Sequence, residues 1–295
     1  AKREELARQM YHSTREKLMK LDDSVTVYPA HGSGSLCGKA LSDANSSTIG
    51  MEKTGNYALQ PMSEDEFVKI LTADQPFIPK YFGYDVSLNK KGAPDYKPSI
   101  NGVKKLEKNY KPEGGAVIVD ARNEKVFKKG HYKGAINIQN GGKFETWLGS
   151  IVGPEEQYYL IAEDDKQLDE LIAKAAKIGY ELLIKGAFVL EQATEAQMPQ
   201  IDLGEFREHP DKYTIVDIRN ESEVKAGKFF DKAINIPLPE LRERADEIPS
   251  DKPVVVHCAG GYRSAAGSSI VEAKKPDVKV LDLSEAVNEF KNGQK

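Results

Sequence analysis

Part of this chain is written twice. Residues 117–138 read VIVDARNEKVFKKGHYKGAINI, and residues 214–236 read TIVDIRNESEVKAGKFFDKAINI. Asp120 pairs with Asp217, Arg122 with Arg219, Asn123 with Asn220 and Glu124 with Glu221, all at an offset of 97 residues. The second copy then carries one extra residue, so Ala135 pairs with Ala233. A period of this size is that of a small domain, so it indicates two duplicated domains rather than a solenoid.

Each copy reads as α/β. The β-branched runs 116–119, 214–218 and 254–256 have the near-continuous apolar character of strands buried on both faces. Helical stretches separate them: 168–178 in the first copy, and 239–245, 262–274 and 284–291 in the second. Strands alternating with helices predict a parallel sheet covered by helices on both faces. Asp217 and Arg219, directly after the first strand of the second copy, are expected to tie a turn together rather than to do chemistry. His131, in the turn Gly130-His131-Tyr132-Lys133-Gly134, is likewise read as structural.

The segment that points to chemistry is Val256-His257-Cys258-Ala259-Gly260-Gly261-Tyr262-Arg263-Ser264. A strand is predicted to end at His257 and a helix to begin near Tyr262. Glycines let the backbone curl so that successive N–H groups point inward. The helix start adds unpaired N–H groups and the positive end of its dipole, and Arg263 adds a cation. A thiol in such a cradle is expected to ionise more readily than a free one, and the thiolate is the nucleophile. The same donors would hold a persulfide or an anionic substrate. A buried filler cysteine at a strand end is the bland alternative. The glycine pair and the arginine at this spacing favour chemistry.

Cys-x-x-x-x-Arg-Ser after a strand, preceded by Asp-x-Arg and Ala-Ile-Asn-Ile-Pro, resembles the rhodanese family. The resemblance implies that Cys258 carries a sulfane sulfur as a persulfide and that Ala259, Gly260, Gly261, Tyr262, Arg263 and Ser264 form its cradle. Cysteine phosphatases of related fold have a longer loop. The four residues between Cys258 and Arg263 therefore favour sulfur over phosphate. The sequence departs from the family after the last strand, where Leu281-Asp282-Leu283-Ser284-Glu285 replaces the usual Gly-Gly turn and tryptophan. The first copy resembles a degenerate member. Ala162 stands at the cysteine position and Gln167 at the arginine position, and Glu163, Asp164 and Asp165 crowd the loop with acids. Packing, spacing or partner binding is its expected role.

Upstream, Leu6, Met10, Leu18 and Leu21 are expected to share one face of a helix over 4–21, followed by a strand at 25–28. Met62 to Leu71 carries a Ser-x-x-Glu capping box and is expected to be helical. A strand leading to Pro29-Ala30-His31-Gly32 resembles the end of a metallo-β-lactamase fold. With two rhodanese-like copies behind it, the chain as a whole resembles a persulfide dioxygenase–rhodanese fusion whose first domain is partial. The expected architecture is α/β. Residues 1–85 form the C-terminal part of a metallo-β-lactamase-like αββα domain and its tail, and 86–97 a linker. Residues 98–195 form a degenerate rhodanese-like domain and 198–295 a catalytic one.

The resemblance implies one Fe(II) in an intact fusion. The His-x-His-x-Asp-His motif of the metallo-β-lactamase superfamily is absent here, and His31 alone supplies no ligand set. No metal, cofactor or dioxygenase activity is therefore expected in this chain. Cys37, near His31 in a Gly/Ser-rich stretch, is either a second sulfur-handling thiol or filler.

Composition limits the partners. The net charge of −4 and pI near 5.9 provide no broad basic field for nucleic acid. No apolar run reaches membrane-spanning length. Two isolated cysteines and a charged start are those expected of a cytoplasmic protein. The expected partners are a small-molecule sulfur donor and a thiol or sulfite acceptor, with homo-oligomerisation left open. Two other readings compete with a sulfurtransferase: a non-catalytic interaction or regulatory module, and an arsenate or phosphoester enzyme built on the same cradle.

Overall fold

The computed structural model describes residues 2–30, 44–73, 77–191 and 195–291. Contacts divide the chain into two units, Ala1–Phe77 and Ile78–Lys295.

In the first unit, α1 (Lys2–Glu16) precedes a two-stranded antiparallel pair, β1 (Thr26–Val27) and β2 (Ser47–Thr48), then α2 (Ile49–Gly55) and α3 (Glu64–Thr72). The capping box is present: the Ser63 side chain accepts from the Glu66 N–H, and the Glu66 carboxylate accepts from the Ser63 N–H. The expected apolar face of α1 is not the buried one. Leu6, Met10, Leu18 and Leu21 are all at least 44% exposed, while Ala7 and Thr14 are buried and Tyr11 packs edge-on against Phe67 of α3. The α-helix ends at Glu16 and Leu18–Lys20 is a 3-10 turn, so Leu18 and Leu21 lose the helical register of the residues before them. His31 and Cys37 lie outside the described residues.

Residues 86–97, expected as a linker, are largely taken up by α4 (Tyr81–Lys91) and the start of α5 (Tyr96–Asn101). Tyr81, Tyr84 and Ile100 pack against the core that follows. Two glycines make the room. A Cβ on Gly149 would lie 2.4 Å from Tyr81, and one on Gly179 would lie 2.3 Å from Leu88. These partners are distant in sequence, so α4 shows no strong periodicity of its own.

The first repeat then builds β3 (Val117–Asp120), α6 (Glu124–Lys129), β4 (Ile136–Asn137), α7 (Phe144–Ile151), β5 (Tyr158–Ala162), α8 (Asp165–Ala176) and β6 (Ile184–Val189). Its sheet is parallel, in the order β4-β3-β5-β6. The second repeat follows with α9 (Leu203–Glu208), β7 (Thr214–Asp217), α10 (Glu221–Ala226), β8 (Ile234–Asn235), α11 (Leu241–Arg244), β9 (Val254–His257), α12 (Tyr262–Lys274) and β10 (Val280–Asp282). Its sheet is also parallel, in the order β8-β7-β9-β10. Two expected helices take other forms. Residues 239–245 fall in a broken succession in which α11 is flanked by 3-10 turns Leu238–Glu240 and Ala245–Glu247, and Ser284–Phe290 is 3-10.

Alternation along the strands supplies the helix layers on both faces. Tyr159 and Ile161 point to one face with Phe127 and Phe188, while Leu160 and Ala162 point to the other with Leu148 and Leu171. In the second repeat Ile215, Val255 and Leu281 meet Phe206, and Val216, Val254 and Val256 meet Ile270. The second of these faces in each repeat belongs to one continuous core. Buried polar contacts also join the repeats. The Asn137 N–H donates to Ser269 Oγ at 2.9 Å, and His131 Nε2 lies 2.9 Å from the Glu272 carboxylate. The other ring nitrogen of His131 faces the Phe127 carbonyl at 2.9 Å, and the ring stacks on Phe127.

Candidate active site

β9 is buried along its whole length and delivers Cys258 at its C-terminal end, itself 2% exposed. The chain curls through Ala259 and Gly260 to Gly261, whose φ of +101° lies in the region that only glycine adopts without strain. That curl aims the Gly261 N–H at Cys258 Sγ, 3.2 Å away. α12 then starts at Tyr262. Ser264, in its first turn, is buried and donates from Oγ to the Gly261 carbonyl at 2.8 Å, closing the curl. Gly267 lets α12 lie close to the sheet, since a Cβ there would stand 2.7 Å from Ile218. The segment 258–264 thus forms one continuous cradle on a strand-to-helix turn.

Arg263 is not a lone cation. Its Nη1 and Nη2 donate to the two Glu223 carboxylate oxygens at 2.7 Å each. Burial works against the charged guanidinium, but Glu223, with a smaller contribution from Cys258, outweighs it and raises the pKa. Glu223 is held below the usual carboxylate range, chiefly by the hydrogen bonds from Arg263. Glu223 has a second role, accepting from the Asn220 N–H at 3.1 Å as the third residue of the α10 capping box. The Asn-x-x-Glu spacing marks it as a cap, but nothing local says that it reaches Arg263.

Asp217 and Arg219 form a buried pair. Arg219 Nε lies 3.0 Å from each Asp217 oxygen, its Nη2 also donates to the Gly227 carbonyl, and the guanidinium covers the Phe229 ring at 3.8 Å. The pair clamps the β7–α10 connection. His257, behind the loop, is fully buried beside Phe229 and Phe230. Burial pushes its pKa down, which favours the neutral imidazole.

The first repeat provides one wall. The Tyr262 hydroxyl donates to the Gln139 carbonyl at 2.8 Å, and burial pushes this phenol up to about 12. The Trp147 ring lies 6.0 Å from the Arg263 guanidinium. Gln139 and Trp147 carry no local signal in the sequence, because they approach the loop only when the two repeats pack.

The matching loop of the first repeat holds no thiol. α8 starts three residues after Ala162, whereas α12 starts four residues after Cys258. Counted from the helix start, Lys166 rather than Gln167 therefore occupies the position of Arg263. The loop's own side chains take up its N–H groups: Gln167 accepts from the Glu163 N–H at 2.9 Å, and Asp164 accepts from the Gln167 N–H at 2.7 Å, while the Glu163 carboxylate turns away to the Asn123 N–H.

Two stretches, 103–196 and 202–291, match the rhodanese-like domain family and together cover more than half of the chain. The chain belongs to the rhodanese-like family. The chain also resembles a protein with a different name. A crystal structure of a metallo-beta-lactamase from Staphylococcus aureus is similar at 30% identity and a TM-score of 0.50, over 62% of this chain and 50% of that one. Tandem rhodanese-like repeats together with this neighbour support the fusion architecture. HTH-type transcriptional regulator Rv0324 of Mycobacterium tuberculosis is 29% identical over 46% of this chain and 59% of its own length. Uncharacterized protein YqhL of Bacillus subtilis is 40% identical over 20% of this chain and 47% of its own. The chain spans about half the length of the curated relatives it matches. Family membership and the thiol-bearing loop support a sulfurtransferase-type role.

Among the described residues, no group of three or more His, Cys, Asp or Glu side chains could hold a metal ion. No described helix is long and apolar enough to cross a membrane.

Proposed function

We propose that the second rhodanese-like repeat moves sulfane sulfur through Cys258. The Sγ thiolate attacks the outer sulfur of a persulfide or of thiosulfate. The donor S–S bond breaks, and the donor thiolate or sulfite leaves with the electron pair. The resulting Cys258 persulfide is attacked at its outer sulfur by a thiol or by sulfite, and Sγ leaves as thiolate. No oxidant or reductant is consumed. The observation that carries this reading is the Gly261 N–H directed at Sγ within a loop that has four residues between Cys258 and Arg263. The same curl that supports the thiolate would support the persulfide anion. In an intact fusion we propose coupling to Fe(II)-dependent persulfide oxidation, in sulfide detoxification.

Intact-mass spectrometry after incubation with thiosulfate or glutathione persulfide tests the proposal. In a Cys37→Ser background, the chain with Cys258 is expected to gain one sulfur atom and its Cys258→Ser variant none. If the chain with Cys258 gains nothing from either donor, the catalytic reading falls and an interaction module takes its place. The first repeat favours that second reading for itself, since it has no thiol and the N–H groups of its loop are taken by its own side chains. Turnover of p-nitrophenyl phosphate would instead point to a phosphoester enzyme.

A further inference from the structure

The Cys258 loop rests on the turn that follows β10, and that turn is gripped from the first repeat. Ser284 has a φ of +48°, a conformation that a non-glycine residue keeps only when its surroundings hold it there. Two contacts do so. The Ser284 N–H donates to Asp282 Oδ1 at 2.8 Å, and its hydroxyl donates to the Glu124 carboxylate, 3.0 Å from each oxygen. Asp282 is held in turn by Lys128, whose Nζ lies 2.7 Å from Oδ2 and 2.6 Å from Glu124. Glu124 and Lys128 both sit on α6 of the first repeat.

The grip reaches the nucleophile through direct contact. A Cβ on Gly261 would lie 2.9 Å from the Glu285 nitrogen and 3.1 Å from the Ser284 carbonyl carbon, so the backbone of the turn fills the space where a side chain at 261 would stand. Gly261 is the residue whose N–H is directed at Cys258 Sγ. The Asp282 side chain is only 1% exposed. Burial pushes its pKa up, and Lys128 is the principal opposing influence. Without Lys128 a buried carboxylate would lose its counter-charge and favour the neutral acid.

We infer that Lys128 and Glu124 are positioning residues for the Cys258 loop. The repeat that lacks a nucleophile thereby completes the site of the repeat that has one. The inference rests on the sulfurtransferase reading for what the loop does, but not for how the loop is held.

The test uses the full chain in a Cys37→Ser background, which leaves Cys258 as its single thiol. Alkylation of Cys258 by iodoacetamide reports loop geometry independently of sulfur chemistry, and sulfur loading from thiosulfate reports function. Lys128→Met is expected to slow both by about tenfold, the scale on which a misplaced supporting group acts, and Lys128→Arg to restore both. The double variant Lys128→Met with Asp282→Leu removes the unpaired buried charge. It is expected to regain the parent melting temperature while remaining slow. If its alkylation rate instead returns to the parent value along with its melting temperature, the network is only interface packing and the inference is overturned. An unchanged or faster alkylation rate in Lys128→Met overturns it too. Failure of the parent chain to load sulfur at all would remove the sulfurtransferase reading, while the alkylation comparison would still decide the positioning role.

Discussion

Arg263 lies fork to fork on Glu223, with both terminal nitrogens donating at 2.7 Å. The loop's cation is thus fixed in place by a carboxylate from the neighbouring helix α10, a geometry that only a planar guanidinium makes. Because Arg263 favours the charged form of Glu223, the glutamate's folded pKa is depressed. A depressed carboxylate keeps its contribution above the ordinary glutamate range, near about 4.3, and loses it as the pH falls through the lower folded value. Glu223→Gln should slow sulfur loading several-fold at neutral pH. The ratio of wild-type to variant rates should hold constant down to the ordinary range and approach one only below it. A ratio that already falls between pH 7 and 5 would contradict the assignment.

Gly261→Ala should damage the loop twice. It forces a side chain into a φ of +101°, and its Cβ would meet the Glu285 backbone at 2.9 Å. Strain of this kind costs about 1–3 kcal/mol. Thermal unfolding should show the loss, and sulfur loading should fall by more than the stability change explains, because the N–H that points at Sγ moves with the residue.

Ala162→Cys restores a thiol at the matching position of the first repeat. It should gain no sulfur, because the side chains of Gln167 and Asp164 already take the Glu163 and Gln167 N–H groups of that loop. Intact mass in a Cys258→Ser and Cys37→Ser background reads this directly. A sulfur adduct would show that the loop tolerates an anion despite its acids.

Gly149→Ala should overpack the seat of Tyr81, where a Cβ would approach to 2.4 Å. Overpacking costs about 1–3 kcal/mol. The strain should release α4, so limited proteolysis should cut within 78–95 faster than in the parent. Equal cutting would mean that α4 does not depend on this contact.

The duplication was legible because both copies use the same local devices. Asp120–Arg122 and Asp217–Arg219 each bridge residues two apart, and Asn137 and Asn235 each donate to the carbonyls of the aspartate and arginine of that pair. Contacts this short leave their mark in sequence. The cradle was legible for the same reason, since Cys258, Gly261 and Ser264 act on one another within a single turn. α4 was not legible. Its support comes from Gly149 and Gly179, far along the chain, and its own pattern is only weakly amphipathic. The buried face of α1 is Ala7, Tyr11 and Thr14, set by packing against Phe67 of α3; Leu6 and Met10 lie beside that face and stay exposed, and the helix stops at Glu16 before Leu18 and Leu21.

By itself the sequence determined the repeat, the parallel α/β layering, the thiol with its short glycine-bearing loop, and the absence of that thiol from the first copy. All of these are set by residues within one element or one turn, where backbone geometry permits few alternatives. Only the tertiary structure decided what surrounds the thiol: Glu223 on Arg263, Trp147 and Gln139 along one wall, and Lys128 and Glu124 holding Asp282 and Ser284 beneath the loop. These contacts join residues far apart in the chain, Glu223 and Arg263 within the second repeat and the others across the two repeats, so no local pattern announces them.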